Sequence, residues 1–315
     1  MGLKKLLAYF FIIVLLVLYP FIVPSQYFTT LATQILIFSI LSMGLNLLLG
    51  YTGMASLGHG ALFGAGAYVP ALLSKYVINN FWIGMSTGLL MALLVSVVFA
   101  LIAVRISGVY FIFITLALGQ VIWALVFGWK SVTGGDEGIT GLGNPLVWPS
   151  FCLSGGNQYY YLALLFFLIV LMITYRLITS PFGHAMVGIR ENESRMRALG
   201  FNVWRCKFIA FIISGVISGL AGVIWAYYTG FVNPRDASFE RSTEAVLMVI
   251  LGGSGTLFGP VVGTTIILFI KNIVAIYTKR WLFVLGMAYI LIILFASKGV
   301  MGALKGRLKG LLGQT

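Results

Sequence analysis

SPFGHAMVGIRENESRMRALGFNVWRCK, residues 180–207, is the stretch on which the reading of this chain turns. It holds five of the 20 Lys and Arg residues and two of the seven Asp and Glu residues. Around it lies a 315-residue sequence that is 60% hydrophobic and only 9% charged. Soluble domains carry about a quarter charged residues, so a water-surrounded core cannot account for this composition. Lipid can, because runs of roughly 20 apolar residues cross a bilayer as helices. A greasy chain keeps a long polar loop where something outside the bilayer meets it.

Working outward from the loop, apolar runs occupy residues 7–23, 30–50, 55–74, 82–104, 108–128, 159–178, 208–229, 242–252, 260–277 and 281–297. This predicts an all-α, polytopic membrane protein of about ten spans, eight at the fewest. The eighth run is too short to cross alone, so residues 242–277 are expected to form two spans or a broken, re-entrant pair. Placing Lys4 and Lys5 in the cytoplasm puts only Lys75, Lys130, Arg235, Arg241, Lys271, Lys279 and Arg280 outside, with the other cations inside. That asymmetry follows the positive-inside rule. Both termini and residues 180–207 are then cytoplasmic, residues 129–158 form an outer loop, and residues 298–315 form a basic cytoplasmic tail on a single transmembrane domain, residues 1–315. The N-terminal run resembles a signal peptide but lacks a small-residue cleavage site, so an uncleaved first span is expected.

The formal net charge of +13 sits at the ends of apolar runs. There it sets topology and meets anionic lipid headgroups, which argues against nucleic acid as a partner. Cys152 and Cys206 fall on opposite sides, too far apart for a disulfide, and neither has metal-ligand spacing around it. The carboxylates cluster at Asp136 and Glu137, at Glu191 and Glu193, and around Asp236, Glu240 and Glu244. None is expected deep in an ordinary span, which argues against proton-coupled carriers and acidic-ring cation channels.

Glycine gathers at Gly44–Gly66 and at Gly252–Gly263, the latter with Pro260. Paired interruptions in the two halves of a transporter point to its pathway, whereas helix packing and a tight cytoplasmic turn explain the same glycines without one. Gln34, Ser42, Asn46, Ser56, His59, Thr115 and Gln120 are the polar candidates for a translocation pathway. Interhelical hydrogen bonding is the competing role for each, and His59 lacks a carboxylate or second ligand beside it. In the loop itself, Ser180 suits a helix N-cap, Pro181 the first helical position and Gly200 a left-handed C-cap. One or two amphipathic helices are expected there. Anionic headgroups would repel Glu191 and Glu193, so docking to a soluble protein explains them better than lipid does.

Five blocks, in order across residues 30–300, resemble the permease family of ATP-driven branched-chain amino acid importers. They are GLNLLLGYTG at 44–53 with GHG at 58–60, GVYFIFITLA at 108–117, TGGDEG at 133–138, SPFG at 180–183 through RENE at 190–193 to ALG at 198–200, and VILGGSGT at 249–256 with FGP at 258–260. The resemblance implies a permease subunit of a binding-protein-dependent importer in a bacterial inner membrane. Its partners would be cytoplasmic ATP-binding subunits, a second related permease subunit and an extracytoplasmic substrate-binding protein. Residues 180–207 would be the coupling loop, with Arg190, Glu191, Glu193, Arg195, Arg197 and Gly200 facing the ATPase. Where many importer permeases have Glu-Ala-Ala, this chain has Ser194-Arg195-Met196, so the match there is loose. Asp136, Glu137, Arg235 and Arg241 would meet the binding protein.

The chain has no Gly-Lys pair and hence no phosphate-binding loop, so ATP hydrolysis falls to a partner. No catalytic group, metal or cofactor is expected. A urea or short-amide permease shows similar blocks and is the alternative within this class. An ion-coupled carrier or channel is the alternative outside it, and an intramembrane enzyme lacks a nucleophile–base pair.

Overall fold

The computed structural model describes residues 14–277, apart from residues 24, 78, 143–144, 149–150 and 154, together with residues 283, 286–287 and 299–301. The expected last span at 281–297 and the basic tail at 298–315 therefore lie almost wholly outside the described residues, as does the start of the first span. Helix α1 covers residues 14–22. It is followed by α2 (Gln26–Asn46), α3 (His59–Tyr76), α4 (Phe81–Ala103), α5 (Val109–Gly128) and a single turn, α6 (Lys130–Thr133). Then come α7 (Gly156–Ile178), α8 (Pro181–Glu191), α9 (Glu193–Ala198), α10 (Val203–Thr229), α11 (Phe239–Gly252) and α12 (Gly259–Tyr277). Side-chain caps start several of them: Asn80 accepts from the amides of Trp82 and Ile83, and Asn202 from that of Arg205. Such caps answer the amides that a helix start leaves unpaired.

Five helical stretches are long and apolar enough to cross a membrane: Gln26–Thr52, Phe81–Ala103, Val109–Gly128, Gly156–Ile178 and Val203–Thr229. The first and last of these are mostly buried, whereas α4 and α5 turn Leu90, Leu94, Val98, Phe113 and Val121 outward. An apolar outer surface of this kind suits lipid. The core lies where α2, α3 and α10 cross, around Phe38, Phe63, Phe211 and Ile224. Gly66 and Gly219 meet backbone to backbone there, an approach that any side chain would block.

Helices α2–α4 and α10–α12 form two units that repeat the same order in opposite directions. In each, a 27-residue helical stretch (Gln26–Thr52 or Val203–Thr229) ends at a left-handed glycine, Gly53 (φ 75°) or Gly230 (φ 65°). A non-helical return follows, then a new helix, then a third helix packed back on it. α2 and α10 run antiparallel, since Gly44 touches Ser214 and Ser218 while the Tyr228 hydroxyl reaches the Thr30 carbonyl oxygen. α3 packs beside α10, and α11 beside α2. Inverted repeats of this kind place broken helices near the bilayer midplane.

This arrangement corrects part of the sequence reading. The glycines at 252–263 do not break a helix across from Gly44–Gly66. They let α11 and α12 close into a tight hairpin, in which Gly252 lies against the Gly259 backbone and Gly263 against Met248. The interruption that corresponds to residues 53–58 is residues 230–238. Residues 239–277 form the helical hairpin α11–α12, with 14-residue α11 as its shorter arm and 19-residue α12 as its longer one. Arg241 and Lys271 are not outer-loop cations: both side chains pair with Glu244, inside the α11–α12 hairpin. Glu244 is thus a carboxylate within the helical body, where none was expected, and it is tolerated because two cations hold it. Cys152 is exposed in the outer loop and Cys206 is buried in the first turn of α10, both as free thiols. The whole of α7, about 34 Å of helix, separates their ends of the molecule.

Candidate functional site

The first break begins where α2 passes into a π-helix, Leu47–Thr52, and ends at Gly53. Residues 53–58 then climb back without helical structure, and α3 starts at His59. That start faces Gly119, the midpoint of α5, and Ser214, near the midpoint of α10. The return segment is pinned by the Leu57 amide donating to Thr115 Oγ1 at 3.1 Å. His59 is fully buried between two serines, with Nδ1 3.0 Å from Ser56 Oγ and Nε2 2.8 Å from Ser214 Oγ. Ser214 donates to the Gly44 carbonyl at 2.6 Å, and Ser56 accepts from the Gly58 amide. These bonds assign the ring proton to Nε2, which donates to Ser214, and leave Nδ1 to accept from Ser56.

The second break starts at Gly230, where Phe231–Val232 pairs antiparallel with Ile139–Thr140 of the outer loop. A 3-10 turn, Pro234–Ala237, then descends along α3, with Ala237 against Gly64. Ser238 caps α11 and its carbonyl oxygen lies on Gly60, while the Gly60 amide donates to Ser242 Oγ at 2.7 Å. The starts of α3 and α11 therefore meet at mid-depth. Behind the α11 start, the Arg241 guanidinium bonds Asp236 at 2.9 Å and Glu244 at 3.0 Å, and Lys271 reaches Glu244 at 2.8 Å. The Trp225 indole N–H also donates to Asp236, and Arg241 lies over the rings of Phe38, Phe63 and Trp225. In front, Arg235, Phe239 and Glu240 are exposed.

Between α7 and α10, Ser180 caps α8 by accepting from the Gly183 amide, and Asn192 breaks the chain before capping α9. Gly200 closes α9 at φ 85°. The Arg190 guanidinium donates to the Gly50 carbonyl oxygen, so α8 is tied directly to the π-turn of the first break. Glu193 bridges Arg197 at 2.5 Å and Lys207 at 2.6 Å. Partial burial opposes its charge, but the hydrogen bonds and positive charges of Lys207 and Arg197 outweigh this and hold its carboxyl below the ordinary value. A cavity of about 240 Å³ lies between Gly53, Gly108, Arg190, Glu193 and Lys207.

The residues singled out in the sequence thus divide. Ser56, His59 and Thr115 converge on the first break, yet each is 0% exposed and hydrogen-bonded within the chain. Ser42 bonds Thr264 Oγ1, and Asn46 clamps the α11–α12 loop through the Thr256 carbonyl and the Gly255 amide. These five are all hydrogen-bonded within the chain, and of the seven only Gln34 and Gln120 remain half-buried. Asp136 and Glu137 are exposed in the 129–158 segment, whereas the Arg241 side chain is turned inward onto Asp236 and Glu244. Arg190, Glu191, Arg195 and Arg197 are exposed, and of this group Arg190, Glu193 and Arg197 bond within the chain. The second break was missed, although Asn233-Pro234 followed by Ser238-x-x-Arg241 carries a helix breaker and then a cap pattern.

The sequence matches the family described as "Branched-chain amino acid transport system / permease component" over residues 27–296. It is 29% identical to the high-affinity branched-chain amino acid transport system permease protein LivM of Escherichia coli K12, over 95% of this chain and 75% of that protein. A probable branched-chain amino acid transport permease protein LivM of Methanocaldococcus jannaschii is 24% identical over 80% of this chain and 83% of its own. The autoinducer 2 import system permease protein LsrC of Escherichia coli HS is 24% identical over 91% and 85%. No solved structure matches. With two opposed broken helices inside an apolar helical body and a family match covering most of its length, the chain belongs to the branched-chain amino acid transport permease family.

Proposed function

We propose that this chain is one membrane subunit of an ATP-driven importer for branched-chain and other hydrophobic amino acids in a bacterial inner membrane. Cytoplasmic ATP-binding subunits engage residues 180–207, a second related permease subunit completes the pathway, and an extracytoplasmic binding protein delivers substrate to the outer loop at residues 129–158. The chain itself hydrolyses nothing.

The observation that carries this reading is the Arg190 bond to the Gly50 carbonyl oxygen. It joins the polar two-helix segment to the π-turn from which the first broken segment hangs. Push or rotation of α8 is then transmitted to residues 53–58 and to the α3 start at mid-depth. Such movement of packed elements about a broken helix is a route to alternating access. The outward face of the segment also suits a protein partner, since Leu199 is 66% and Phe201 48% exposed beside Arg195 and Arg197. The buried side of α8, with Met186 and Ile189, anchors it to the body.

The test uses the assembled importer in proteoliposomes. Arg197→Glu and Leu199→Asp are expected to cut co-purification of the ATP-binding subunit and to lower leucine uptake at least tenfold. Retention of both would refute docking at this surface.

A further inference from the structure

We propose that Arg235 and Glu240 form a zwitterion-recognising pair that lines the translocation path at the start of α11. This rests on the amino-acid reading above and names the residues that would grip the part common to all its substrates.

Ser238 touches Gly60, and the α3 start faces the midpoints of α5 and α10. Glu240 stands two residues beyond Ser238 and is exposed, as is Arg235 just above it on the descending turn. Among the described residues neither forms an ion pair, unlike their neighbours Asp236, Arg241 and Glu244. A charge exposed to hydrocarbon at this depth is costly, so these two side chains face water or a charged occupant.

The two helix starts are related by the inverted repeat but are finished differently. That of α3 is sealed, with His59 fully buried and both its ring nitrogens engaged. That of α11 is open, with Phe239, which falls between the two charges in sequence, 41% exposed. Its back is fixed by the Asp236–Arg241–Glu244–Lys271 ion pairs, so the open face is held in place from behind. A guanidinium suits a carboxylate, a carboxylate suits an α-ammonium, and Phe239 offers apolar surface to an aliphatic side chain. The complementary occupant is an α-amino acid zwitterion between this chain and its companion subunit.

The test uses the complete importer in proteoliposomes, with Cys152→Ser to remove the exposed thiol; Cys206 is buried. Cysteine is placed singly by Arg235→Cys and Glu240→Cys, and a membrane-impermeant charged thiol reagent is applied from the outer side. Both positions are expected to react, and leucine-loaded binding protein should slow the reaction at least tenfold while empty binding protein does not. Arg235→Gln and Glu240→Gln should each lower uptake at least tenfold while the second permease subunit still co-purifies. Failure of both cysteines to react in every state, equal protection by empty binding protein, or loss of the second subunit from the charge-neutral variants would overturn the proposal. Wild-type leucine uptake is scored separately. Its absence overturns the amino-acid reading, whereas unprotected cysteines beside normal wild-type uptake overturn only the assignment of this pair.

Discussion

Gly60 shows how much one residue decides here. A side chain on it would strike the Ser238 carbonyl oxygen and Ser242 Oγ, where the two helix starts touch. Backbone on one side cannot yield as a flexible side chain would. Gly60→Ala is therefore expected to cost about 1–3 kcal/mol, the usual range for overpacking, read as a lower thermal midpoint of the purified subunit in detergent. Glu193 gives a pH signature. Its folded carboxyl titrates below the ordinary value of 4.5, so its bonds to Lys207 and Arg197 stabilise the fold above that value. The contribution fades as the pH falls below 4.5 and through the lowered folded value. Glu193→Gln should flatten that part of the thermal-stability profile, and an unchanged acid limb would contradict the role given to this carboxylate. The bonds of Ser180 and the φ of Gly200 were legible beforehand because caps are local chemistry. The sealing of His59 was not, because its partner Ser214 lies 155 residues away.

At the scale of elements, apolar runs announced most of the helices, and the short run between 242 and 252 matches the short helix α11. Glycine content left two readings of residues 252–263 open, because glycine serves both broken backbone and close packing. At 252–263 it serves packing. The break at 230–238 has a local signal in Asn233-Pro234 and Ser238, but its pairing with the first break shows only in Ala237 against Gly64 and Ser242 against Gly60, contacts that no local pattern encodes. What holds that break is the buried charge chain through Arg241. Arg241→Met would leave Asp236 without its cation and Glu244 with Lys271 alone. The expected loss is about 3–5 kcal/mol, the cost of stranding a buried charge, measured by thermal unfolding in detergent. Replacing Asp236 by Asn in the same chain should recover part of the loss, since the stranded charge is then removed. If the double variant is no more stable than Arg241→Met, the ion pair is not what fixes the segment.

At the scale of the molecule, the chain is two opposed units around a mid-depth junction, with a polar two-helix segment hung beneath the first. Composition made the membrane legible, and the charge of residues 180–207 marked the polar segment. The link between them was not legible, since Arg190 and Gly50 are 140 residues apart. That link is the central claim, and Arg190→Ala tests it most directly. Leucine uptake and ATP hydrolysis are measured together on the assembled importer in proteoliposomes. Hydrolysis should continue at near wild-type rate while uptake falls at least tenfold, because the ATPase still docks but no longer moves the break. Uptake that survives intact, or that falls only in step with hydrolysis, would contradict the account.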